Sequence, residues 1–123
     1  MKVEVKSIHH VQLCIPLGTE DQARSFFSGI LGFQEIEKPE SLKPNGGLWY
    51  QMGEQELHLG IENIRLQKGK SHPAFEVAQL NTVKKYLLSH GIAVKEETEI
   101  PGLSRFSFRD PFGNRIEFLE KTT

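Results

Sequence analysis

The sequence predicts an α+β fold built from two copies of one β-α-β-β-β module, and three observations carry that prediction. Two helix-like patterns, Ala23-Phe26-Phe27-Ile30-Leu31 and Val83-Tyr86-Leu87, each stand between one strand-like run and three more. A charged stretch, Glu62 to Lys70, separates the halves. Landmarks recur at nearly equal spacing: His10 lies 16 residues before Phe26 and His72 lies 14 before Tyr86, while His10 to His58 is 48 residues and His72 to Glu117 is 45. Repetition of element order at such a period points to a duplicated unit. The 123 residues are expected to form a single domain, with module 1 over about 6–62 and module 2 over about 71–120.

Each element has a local reason. Ile8 to Ile15 alternates as a strand, and Thr19 with Gln22 has the spacing of a capping box at the start of the first helix. Apolar residues at i, i+3, i+4, i+7 and i+8 then give that helix one buried face, and Gly32 stops it. Phe33 to Glu37 reads as a strand and Lys38 to Gly46 as a loop; Gly47 to Met52 and Glu56 to Ile61 form a hairpin about Gly53-Glu54. The second helix is expected to be capped by Asn81, to bury Val83, Tyr86 and Leu87, and to end at Gly91. Strands at Ile92 to Lys95, Leu103 to Phe108 and Asn114 to Leu119 complete the second copy. Its last hairpin closes through Asp110-Pro111-Phe112-Gly113, where Pro presets φ and Gly accepts a positive one.

Composition excludes several function classes. Fifteen basic and 16 acidic residues leave a net charge of −1, and no cluster of Lys and Arg exceeds a pair, so no nucleic-acid partner is expected. No apolar run approaches the roughly 20 residues that span a bilayer, so no membrane partner is expected either. Met1-Lys2-Val3-Glu4-Val5-Lys6 alternates charge and does not read as a secretory signal. One cysteine, Cys14, precludes an intrachain disulfide and a zinc site of several thiolates. A cytoplasmic location is the expectation.

Strand periodicity then sorts the chemistry. Val11, Leu13 and Ile15 face the helix of module 1, leaving His10, Gln12 and Cys14 opposite. Leu57, Leu59 and Ile61 likewise leave Glu56, His58 and Gly60 opposite, with Trp49 and Gln51 on the same side. In module 2 that side receives His72, Ala74, Glu76, Glu117, Arg105, Ser107, Arg109 and Arg115. His9 is expected to turn to the helix side, and Cys14 to be an inert thiol. If these polar faces curl into a concavity, imidazoles and a carboxylate become ligands for a divalent Zn, Ni, Fe, Mn or Co ion. Two imidazoles and one carboxylate leave positions open for substrate oxygens.

At these residues the chain resembles the vicinal oxygen chelate superfamily, which includes glyoxalase I, bleomycin-resistance proteins, fosfomycin-resistance transferases and extradiol dioxygenases. The closing hairpin Arg109-Asp110-Pro111-Phe112-Gly113-Asn114-Arg115-Ile116-Glu117-Phe118 carries the most specific likeness. His10-Val11-Gln12-Leu13 resembles the opening strand, Leu31-Gly32-Phe33 the helix exit, and His72-Pro73-Ala74-Phe75-Glu76-Val77 the start of the second module. The resemblance implies paired βαβββ modules forming an incomplete barrel around a metal held by His10, His72 and Glu117. The family's fourth position falls on His58, with Glu56 its same-face neighbour, and glyoxalase I-like members carry Glu there. It further implies a lyase, isomerase or dioxygenase that chelates vicinal oxygens of a small-molecule substrate and stabilises an oxyanion. Glu117, Glu56 or His58 is then the expected base, with Glu117 and His58 the catalytic candidates. Trp49, Gln51, Arg105 and Arg109 are expected to bind substrate. Family precedent favours a homodimer, with or without exchange of modules. The alternative is a metal-free protein that sequesters a drug or metabolite, as in the bleomycin-resistance branch.

Overall fold

Burial of apolar side chains on β1 (His10–Ile15) and β4 (Gln55–Ile61) organises the first half of the chain: Ile15, Leu57 and Leu59 are almost wholly inaccessible. The computed structural model describes residues 1–122 and divides them into two compact units, Met1–Ile64 and a second beginning at Arg65. Each contains one four-stranded mixed sheet. The α+β fold of two βαβββ modules is therefore the one the sequence predicts.

In the first unit β1 lies parallel to β4, β4 antiparallel to β3 (Leu48–Met52), and β3 antiparallel to β2 (Gln34–Ile36). The parallel pair needs a long connection, and the chain between the two strands runs through α1 (Glu20–Arg24), β2 and β3. The helix departs from the expected one in two respects. Thr19 stands at its N-cap, but its hydroxyl donates to the Pro16 carbonyl at 2.6 Å and caps no helical N–H. From Ser25 to Ile30 the winding widens to a π-helix, with Leu31 N–H bonded to the Phe26 carbonyl. A wider turn brings adjacent side chains closer to one face, and both Phe26 and Phe27 are buried. Phe27 packs 5.9 Å from the Tyr50 ring, whose hydroxyl shares a 2.9 Å hydrogen bond with Ser28. The expected loop after β2 contains a 3₁₀ helix, Glu40–Asn45, with Pro39 at its entrance and Gly46 (φ 72°) at its exit. The short-range i→i+3 turn suits a segment interrupted by Pro44.

The second unit repeats the order. β5 (Ala74–Glu76) lies parallel to β8 (Arg115–Lys121), β8 antiparallel to β7 (Leu103–Arg109), and β7 antiparallel to the two-residue β6 (Lys95–Glu96). Leu80, Leu87, Phe106, Phe108, Ile116 and Phe118 are its buried apolar residues on β7, β8 and α2 (Leu80–Ser89). Asn81 is not the cap: Gln79, two residues earlier, stands there, and the Glu120 carboxylate of β8 accepts the N–H groups of Gln79 and Leu80 at 2.9 and 3.0 Å. A carboxylate at a helix N-terminus satisfies orphan donors and the dipole together. Tyr86, expected in the core, is 42% exposed and stacks by His90, while Leu80 takes the buried place. The strand expected over Ile92 to Lys95 is reduced to Lys95–Glu96.

The last hairpin is held by a buried acid. The Asp110 carboxylate accepts the N–H of Phe112 (2.9 Å), the N–H of Asn114 (2.8 Å) and the Asn114 side-chain amide (2.8 Å). Burial raises its pKa, and these hydrogen bonds oppose that rise. Among the described residues no helix is long and apolar enough to cross a membrane.

Candidate functional site

The polar face of the first module is set by strand pairing. His10 sits opposite Glu56, Trp49 opposite His58 and Gln51 opposite Glu56, as the alternation requires. The Trp49 and His58 rings lie parallel within 1° at 3.9 Å, and His10 stacks on His58 at 4.1 Å and 17°. Nε2 of His58 is 2.9 Å from Oε1 of Glu56. That hydrogen bond is the first cause of a lowered Glu56 pKa. For His10, lost hydration and then the neighbouring His58 and His9 rings lower the pKa below its ordinary value, so the neutral ring with its lone pair is favoured.

These rings border a cavity of about 750 Å³ within this module, whose wall also includes His9, Lys38 and Leu42. His9, expected on the helix side, is exposed and also borders this cavity, with Nδ1 3.0 Å from Nδ1 of His10. Lys38 and Leu42 went unforeseen because both lay in an expected loop, where no periodicity assigns a face. The Gln51 amide donates to the turn carbonyls of Gly53 and Gln55 at 2.8 and 3.2 Å. For Cys14, partial burial and then Glu62 raise the thiol pKa, consistent with the inert thiol expected.

In the second module Ala74 and Ser107 flank Glu117 in register, and His72 just precedes β5. Glu117 is buried, and its Oε1 lies 3.0 Å from the Arg105 guanidinium and 3.3 Å from Nε2 of His72. The other ring nitrogen, Nδ1, is 2.8 Å from the Lys70 carbonyl. A carbonyl only accepts, so Nδ1 carries the proton; in the neutral ring the bare Nε2 lone pair then faces a carboxylate oxygen. Two acceptors so placed need a shared proton or a cation. Two ligands bonded at about 2.0–2.2 Å to one ion stand about 3 Å apart, so the pair suits a divalent metal. An imidazole whose second nitrogen donates to a backbone carbonyl is also the usual arrangement of a metal-ligating histidine. Among the described residues no three His, Cys, Asp or Glu side chains gather into a group that could hold a metal ion.

Arg105 also donates to the Thr98 carbonyl, and Arg109 to the carbonyls of Gly69 and Gly113. Glu97 is a residue the sequence did not single out. Its Oε1 accepts from Ser107 at 2.5 Å and from Arg115 at 2.7 Å. No sequence signal marks it, because it follows a two-residue strand and its partners are 10 and 18 residues away. These two bonds, the hydroxyl first, lower its pKa to about 2. A folded-state pKa below the ordinary 4.5 means that Glu97 contributes stability above about pH 4.5, and that this is lost as pH falls toward 2. Glu97→Gln is expected to be less stable at neutral pH and flatter between pH 4.5 and 2 in acid unfolding followed by circular dichroism. Superimposable acid curves for the two proteins would contradict that role.

Two modules of one topology with histidines and carboxylates on their sheet faces define a class, and comparison with known proteins agrees. The chain belongs to the Glyoxalase/Bleomycin resistance protein/Dioxygenase superfamily, whose family model matches residues 7–118. A crystal structure from Bacillus anthracis assigned to the glyoxalase family is 42% identical, with a TM-score of 0.93 over 99% of this chain and 100% of that one. A glyoxalase/dioxygenase from Nostoc punctiforme is 18% identical with a TM-score of 0.80, covering 100% and 99%. A lactoylglutathione lyase from Agrobacterium tumefaciens is 23% identical with a TM-score of 0.75, covering 95% of each chain. At those lower identities the likeness is one of fold. No curated protein matches the chain.

Proposed function

We propose that the chain is a divalent-metal-dependent enzyme of this superfamily, a lyase, isomerase or dioxygenase acting on a small molecule with two adjacent oxygens. The observation that carries the proposal is the His72–Glu117 pair, in which an imidazole nitrogen and a carboxylate oxygen lie 3.3 Å apart. His10 is the proposed third ligand, contributed by the first module of the same chain or of a second copy. Bound there, Zn, Ni, Mn, Fe or Co would withdraw charge from the substrate oxygens.

The chain's own residues supply the rest. Lys70 holds His72 in the required tautomer, and Arg105 fixes the Glu117 carboxylate. His58, oriented by Glu56 and sandwiched between Trp49 and His10, is the proposed proton acceptor, with Nδ1 the nitrogen not bonded to Glu56. Arg105 and Arg109 are the proposed contacts for a substrate anion, and Trp49 for a flat group. We also propose a homodimer in the cytoplasm. Val3, Val5 and Ile8 lie 80%, 77% and 65% exposed outside both sheets, apolar surface that a second copy would cover.

Elemental analysis of protein purified without chelator or histidine tag tests the reading, and about one transition metal per chain is expected. No metal, and no uptake from supplied Zn, Ni, Mn or Fe(II), would overturn it in favour of a metal-free binder. His58 has its own test. His58→Phe keeps a flat ring between Trp49 and His10, so metal affinity is expected to stay within about threefold, whereas His58→Ala, which removes the stack, lowers it about tenfold. Equal losses in both variants would make His58 a fourth ligand.

A further inference from the structure

We propose that the cavity of the first module selects a small carboxylate with an apolar or aromatic body, and that Lys38 is the residue that reads its charge. This deepens the enzyme reading above, because His10 and His58 belong to both. The observation is the ammonium in the wall. Lys38 is the wall's one lysine or arginine, and no aspartate or glutamate stands among the lining residues. The Glu56 carboxylate that partners His58 lies outside the lining. A positive charge set in a concave surface with low-dielectric walls concentrates ligands of the opposite sign.

Lys38 is held in place. Its ammonium donates to the Gly46 carbonyl, at the exit of the 3₁₀ helix Glu40–Asn45. An ammonium has three N–H donors, so two remain for a ligand oxygen. Beside it the wall is apolar or flat, through Leu42 and the Trp49 ring that lies parallel to His58. An anionic head at Lys38 and a planar body against Trp49 are thus accommodated together.

Trp49 is the chain's single tryptophan and stands in this wall, so its emission follows binding here. The probes are mandelate and the neutral 1-phenyl-1,2-ethanediol, which share a phenyl ring and adjacent oxygens but differ in charge. Each is titrated into chelator-treated and Zn-loaded protein. Mandelate is expected to bind about tenfold more tightly than the diol in the chelator-treated protein. Lys38→Met is expected to bring that ratio close to one with diol affinity unchanged, and Lys38→Arg to retain it. Equal affinities in the parent protein, or a ratio unchanged in Lys38→Met, would overturn the inference. A charge preference in protein that takes up no metal sinks the enzyme reading alone, while metal uptake with no charge preference sinks this inference alone.

Discussion

Gly113→Ala is expected to destabilise the protein by on the order of 3 kcal/mol, lowering its thermal midpoint by about 10 °C. Gly113 sits at φ 88°, and a Cβ placed on it would stand 2.0 Å from the Gln67 carbonyl oxygen. That oxygen belongs to backbone and cannot rotate away. The segment is also tied down, because Gln67 N–H donates to the Phe112 carbonyl at 2.7 Å. Relief of the clash therefore breaks a hydrogen bond beside the turn that orients β8 and Glu117. Gly91→Ala is the control: φ is 76°, but nothing lies within 4 Å of the added carbon. It should cost only about 1 kcal/mol, the backbone penalty alone. Thermal melts of both variants decide the matter, and equal losses would show that the Gln67 contact has no energetic weight.

Loss of metal binding is the second large effect, and it should separate two residues that touch each other. His72→Ala is expected to weaken divalent-metal affinity at least about a hundred-fold, since a ligand and its oriented lone pair go together. Its side chain is 29% exposed, so the metal-free protein should melt within about 1 °C of the parent. Glu117→Gln should weaken metal binding comparably and also destabilise the metal-free protein. Removing that carboxylate charge leaves the Arg105 guanidinium, itself 17% exposed, without its counter-ion. A cost of about 1–3 kcal/mol follows. Isothermal titration with Zn and melts of chelator-treated protein separate the two contributions. Unchanged Zn affinity in both variants would remove His72 and Glu117 from the proposed site.

Which of these residues were visible before folding follows from the range of the forces involved. His10, His58, Trp49 and Glu117 were legible because strand alternation is a local, steric property that puts every second side chain on one face. The β-α-β-β-β order was legible for the same reason, through the apolar spacing of Ala23 to Leu31 and the turn chemistry of Asp110 to Asn114. Asn81 was misread as a cap because a cap from 40 residues away, Glu120, satisfied the donors instead. Tyr86 has helical spacing suited to the core, yet the helix starts at Leu80 and presents Leu80 and Leu87 to it.

By itself, then, the sequence determined the two-module α+β architecture, the polar face of each sheet and the superfamily, because these depend on periodicity and on turns a few residues long. Only the tertiary structure decided how that polar face is wired. The Lys70 carbonyl that sets the His72 tautomer is close in sequence, but nothing in residue type announces its direction. The pairing of Arg105 with Glu117, the Glu97 cluster and the Lys38 cavity join positions 8 to 20 residues apart or more. Hydrogen bonds and ion pairs act over about 3 Å, so they exist only once strand pairing has brought distant segments that close.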